Sequence, residues 1–152
     1  MDNLAITYQR LGKYADAEKF QIQIVDMRNK LHGEEHPLTI VTMDYLAITY
    51  QKLGTYADAE KLQIKVLDLR NRLLGEQHPD TIGAMNNIAN TYERLGRYAD
   101  AEKLQTQVVD MRNILFGVEH PDTISAMHDL AITYRRLGNV QLQRSSKSKF
   151  WI

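Results

Sequence analysis

The chain has 152 residues, of which 43% are hydrophobic and 25% charged. That is the balance of a folded water-soluble domain, and the length fits one domain. Nineteen Lys and Arg against nineteen Asp and Glu leave no formal net charge. Nucleic acid and membrane are therefore not expected partners, since a nucleic-acid or anionic lipid surface is met by a clustered positive excess. There is no cysteine, which excludes disulfides, thiolate catalysis and cysteine-ligated metal centres. The first ten residues lack the basic segment and apolar run of a signal peptide. No stretch approaches the roughly eighteen apolar residues of a membrane span. The expected location is cytoplasmic.

In chain order, the sequence repeats itself. Tyr-x-x-Leu-Gly occurs at Tyr8, Tyr50, Tyr92 and Tyr134, always 42 residues apart. Tyr-Ala-Asp-Ala-Glu-Lys follows at Tyr14, Tyr56 and Tyr98, and His-Pro recurs at His36, His78 and His120. Residues 43–84 and 85–126 are identical at 26 of 42 positions. Such a period is the mark of a repeat architecture. Met1 aligns with Met43, so the array opens in mid-helix with a partial helix over 1–11. The spacing then predicts helices over about 14–32, 37–53, 56–74, 79–95, 98–116 and 121–137. Within a unit, Ile82, Met85, Ile88, Ala89, Tyr92 and Leu95 form one helical stripe. Ala101, Leu104, Val108, Met111 and Leu115 form the next. Pro79 suits a first helical turn and Gly96 a left-handed helix end. The fold class is all-α: antiparallel helix pairs stacked as a right-handed superhelical solenoid, each pair burying its neighbour's apolar face. The array covers 1–138. The tail 139–152 breaks the pattern at Val140, where tyrosine is expected, and is read as disordered or as an irregular cap formed by Phe150 and Trp151.

Ala89, Tyr92, Gly96, Tyr98 and Ala101 resemble the tetratricopeptide (TPR) pattern in order and spacing. The longer 42-residue unit, closing in Arg-Asn-x-Leu-x-Gly-x-x-His-Pro-Asp-Thr, is similar to repeats of kinesin light chains. It is equally similar to those of fungal and bacterial NOD-like (STAND) NTPases. The resemblance implies a protein-interaction scaffold that takes a peptide in a concave groove, as part of a larger protein. Its alternative is the sensor or oligomerisation domain of a STAND-type NTPase. In the family the first helix of each pair lines the groove, which assigns Asn3, Tyr45, Asn86, Asn87, Asn90, Arg94, His128, Asp129 and Arg135 to it. Asparagine offers a donor and an acceptor to a peptide backbone. Lysines needed to grip a C-terminal carboxylate are absent: Asp2, Asp44, Asn86 and His128 stand in their places.

No catalytic site is expected. His32 and His36 have the spacing of a helical metal pair, but Gly33 and Pro37 break the helix there. The repeated histidines read as ending or capping a helix before each proline. Asp26/Arg28, Asp68/Arg70 and Asp110/Arg112 read as structural, with Asp26–Lys30 and Asp68–Arg72 as surface ion pairs. No Gly-rich loop precedes a Lys-Ser/Thr pair. Neither cofactor nor metal is expected, and the partner is a protein or peptide. The apolar ends of the array allow end-to-end self-association.

Overall fold

Three prolines and six glycines punctuate the chain. In the computed structural model, which describes residues 2–149 and side chains from Leu4 to Gln141, they delimit seven helices and no strand among the described residues. These are α1 (Asp2–Arg10), α2 (Tyr14–His32), α3 (Pro37–Leu53), α4 (Tyr56–Leu74), α5 (Pro79–Arg94), α6 (Tyr98–Phe116) and α7 (Pro121–Lys149). Each proline occupies a first helical turn, where its missing N–H costs nothing. Gly12, Gly54 and Gly96 close α1, α3 and α5 with positive φ. At Gly54 the glycine N–H reaches the Gln51 carbonyl and the Thr55 N–H the Tyr50 carbonyl, a Schellman end.

The fourth glycine behaves differently. Gly138 has no positive φ, and the helix expected to end at 137 runs on to Lys149. No Tyr-Ala-Asp-Ala-Glu-Lys segment follows to pull the chain back, and residues 139–149 contain neither proline nor glycine. Phe150 and Trp151, the expected cap, lie outside the described residues.

Two compact units divide the chain, Met1–Ala84 and Met85–Ile152, with the division inside α5. In the first, α1 packs on α2, α2 on α3 and α3 on α4. Its core joins Ile40 and Met43 of α3 to Val66 and Leu69 of α4 and to Ala84, with Val25, Leu62 and Leu67 against it. In the second, α6 packs on α7, and Met85, Ile88, Ala89, Ala101, Val108 and Ala126 are buried. The alanine opening each second helix (Ala17, Ala59, Ala101) is fully buried, because only a methyl group lets two helix backbones come this close. Leu31, Leu73 and Leu115, which end the predicted stripes, stay exposed.

Candidate functional site

The first helix of each pair is held at its start by two repeated side chains. His36 Nδ1 accepts from the Leu38 N–H (3.3 Å), His78 from the Asp80 N–H (3.2 Å) and His120 from the Asp122 N–H (3.2 Å). These are N-caps, which satisfy an amide the helix itself cannot. The carbonyls of the same three residues are taken by the preceding helix: Arg28 donates to Leu38 (2.8 Å), Arg70 to Asp80 (3.1 Å) and Arg112 to Asp122 (2.9 Å). Arg70 is also paired with Asp44 at 2.5 Å, both side chains largely buried. Charged loop-edge pairs add to this: Lys65 with Glu34, and Arg72 with Glu35 and Asp68.

Deeper in each unit, one buried polar node locks three helices. In the first, Gln9 Nε2 donates to Thr49 Oγ1 (2.6 Å), whose hydroxyl donates to Gln21 Oε1 (2.7 Å). In the second, Glu93 accepts from Gln105 Nε2 (2.9 Å), from the Thr133 hydroxyl and from Arg136 Nη1 (2.8 Å). Gln21 and Gln105 thus sit in the core bonded to the neighbouring helices, Gln21 through Oε1 and Gln105 through Nε2, while Gln105 Oε1 finds no donor among the described residues. Gln9, Glu93 and Arg136 are spent on this framework instead of standing free on the groove face.

What remains open over the first half of α3 is apolar. Leu38 is 50% exposed, Val41 41% and Tyr45 41%. Two cavities flank this helix. One of about 200 Å³ is walled by Ile6, Ile24, Arg28, Leu38, Val41 and Tyr45. The other, about 390 Å³, is walled by Ile40, Val41, Leu73 and Leu74, with Glu35, Arg70 and Asp80 as its polar groups. Val41 is common to both.

The second unit carries the polar candidates. On α5, Asn86 and Asn87 are half-buried, and Asn90 and Arg94 are exposed. Asn86 Oδ1 is shut away from solvent and finds no donor among the described residues. On α7, His128 and Arg135 are exposed and Asp129 is half-buried. Burial pushes the Asp129 carboxyl above its ordinary range, Glu93 pushes it further, and His128 and Arg112 pull it back only in part. The Asn3 side chain lies outside the described residues. Sequence reasoning missed Leu38 and Val41, whose 38/41/45 spacing is the available signal. Asp44, which stands where a carboxylate clamp would need lysine, is tied to Arg70 from another helix. No local spacing betrays a partner 26 residues away. Among the described residues, no three His, Asp or Glu side chains gather to hold a metal ion, and no helix is long and apolar enough to cross a membrane.

Repeated caps, Schellman ends and paired helices define a tetratricopeptide-type module. The tetratricopeptide repeat model matches residues 1–56, 45–114 and 84–142, and the chain belongs to that family. Its fold is similar to the crystal structure of a Podosopora anserina putative kinesin light chain with nearly identical TPR-like repeats. There the TM-score is 0.83 at 29% identity, covering 91% of this chain and 66% of that one. A variant of that protein aligns with a TM-score of 0.82 and the same identity and coverage. BtubC (BKLC) from P. vanneervenii aligns with a TM-score of 0.82 at 22% identity, over 91% of this chain and 55% of that one. The chain thus spans less than two thirds of the length of these structures. No curated protein matches it.

Proposed function

We propose that the chain is a non-catalytic, kinesin-light-chain-like interaction module of the cytoplasm, part of a larger protein. It holds a peptide segment of a partner protein on the open faces of its first helices. The observation that carries this reading is a contrast between two kinds of repeat position. At the helix caps and at the arginine that grips the next helix, the residue recurs: Arg28/Arg70/Arg112 and His36/His78/His120. Where it faces out from a first helix, the chemistry changes: Tyr45, Asn87 and Asp129 share one repeat position, and Val41, Gly83 and Ser125 another. A face varied in chemistry from repeat to repeat suits selective recognition. A rigid frame beneath it lowers the ordering cost of binding.

The test is a peptide-array screen against the 152-residue chain, followed by Asn87→Ala and Tyr45→Ala. Each substitution is expected to weaken the selected peptides by about tenfold, as contact anchors do, with the melting temperature unchanged. Binding indifferent to both substitutions, or unfolding by Asn87→Ala, contradicts the proposed face.

A further inference from the structure

Resting on that reading, we infer that the α3 face of the first unit takes an extended segment with two bulky apolar side chains three residues apart, flanked by Lys or Arg. Three observations carry this: the size of the two cavities, their spacing across α3, and the sign of the charge at the larger mouth.

The cavities hold about 200 and about 390 Å³. A dry cavity of about 150 Å³ is enough for a benzene-sized group, so each takes one Leu, Met or aromatic side chain. Their walls are mostly apolar, Ile24, Leu38 and Tyr45 on one side and Ile40, Leu73 and Leu74 on the other, which favours an apolar side chain.

The two cavities open on either side of Val41 of α3, which lines both, and a helix with its side chains is about 10 Å across. A polyproline-type backbone advances about 3.1 Å per residue and returns to the same face every third residue. Side chains at i and i+3 therefore point the same way, about 9 Å apart by that rise, which spans α3. A β-strand would turn the same pair to opposite faces.

The cations near the cavities are already engaged. Arg70 serves Asp44 and the Asp80 carbonyl, and Arg28 serves the Leu38 carbonyl and Thr42. Glu35 and Asp80 line the larger cavity. Glu35 shares its charge with Arg72 across an exposed pair. Asp80 lies 3.9 Å from His78 Nδ1, a nitrogen that accepts the Asp80 N–H. The Asp80 carboxylate stands at the mouth of this cavity, where a cationic flank meets it.

The experiment is fluorescence anisotropy of the full chain with a labelled peptide, Lys-Leu-Pro-Pro-Leu-Lys. Comparison peptides carry Glu flanks, one residue between the leucines, or a helical frame with leucines seven apart. The Lys-flanked, three-residue spacing is expected to bind tightest. Val41→Asp, which alters both cavities at an exposed position, is expected to weaken it at least tenfold. Asp80→Asn is expected to weaken it about threefold, the scale of one exposed charge pair. Circular dichroism melts check that both variants stay folded. Tighter binding of the Glu-flanked or helical peptide, or indifference to Val41→Asp, overturns the inference. If array-selected peptides are lost on Asn87→Ala but ignore Val41→Asp, this inference falls while the proposed function stands. If no peptide binds at all, both fall.

Discussion

Arg70 donates to the carbonyl of Asp80, and both belong to positions that recur at 42-residue spacing. The same bond recurs at Arg28–Leu38 and Arg112–Asp122. The acceptor's side chain is irrelevant to it, since Leu and Asp serve equally. The arginine therefore recurs because it holds backbone, orienting the incoming first helix against the outgoing second one.

Arg70→Met tests that role. It removes the Arg70 side of the largely buried Asp44 pair and the Arg70 donor to the Asp80 carbonyl. Breaking a buried pair from one side costs several kcal/mol; the partial exposure here reduces that to about 2 kcal/mol. A thermal melt is expected to shift down by roughly 4–8 °C, and pairing the change with Asp44→Leu should recover part of the loss. An unchanged melt would mean the pair is idle.

His78→Ala removes the N-cap of α5. Loss of a capping side chain costs about 1 kcal/mol, read as a lower urea midpoint at constant slope. His78→Asn, which keeps an acceptor near the same place, is expected to restore most of it. Equal loss in both variants would show that the ring's bulk, and not its nitrogen, matters.

Asp129 gives a pH dependence. Its carboxyl is raised in the folded state, by burial first and Glu93 second, so the folded chain holds that proton more tightly than the unfolded one. The favourable contribution is present below the ordinary value of 3.8 and is lost as pH rises through the folded pKa. At neutral pH the carboxylate is a cost. Asp129→Asn is therefore expected to stabilise the chain at pH 7, with the advantage shrinking as pH falls through the range just above 3.8. Urea melts at several pH values decide it; a pH-independent difference would rule out titration as the cause.

Self-association is a further expectation. Ile124 and Met127 of α7 are 54% and 45% exposed, while Ile40 and Met43 at the same repeat positions of α3 are 5% and 1%. We propose that this bare face supports association between copies. Sedimentation velocity is expected to show mass rising with concentration, and Ile124→Lys to suppress it. A concentration-independent monomer would refute the proposal.

The seven helices were legible because their signals are local. Proline at a first turn, glycine at a left-handed end and an apolar period of three to four act within a few residues. The boundaries at 14–32, 37–53, 56–74 and 98–116 follow directly from them. The histidines' capping role was legible for the same reason, since cap and amide lie two residues apart. Gly138 shows the limit: the same Tyr-x-x-Leu-Gly that ends α1, α3 and α5 does not end α7. A Schellman turn sends the chain back only where a following helix has apolar residues to repay the reversal.

The repeat, the all-α class and the helix order rest on short-range backbone chemistry and are written in the chain itself. Helix packing alone settled which polar side chains are spent. Asp44 goes to Arg70, Gln9 to Thr49, and Glu93 to Gln105, Thr133 and Arg136. It also decided that the open surface of α3 begins at Leu38 and Val41. These outcomes depend on which helices lie side by side, and partners 12 to 43 residues apart leave no local pattern to read.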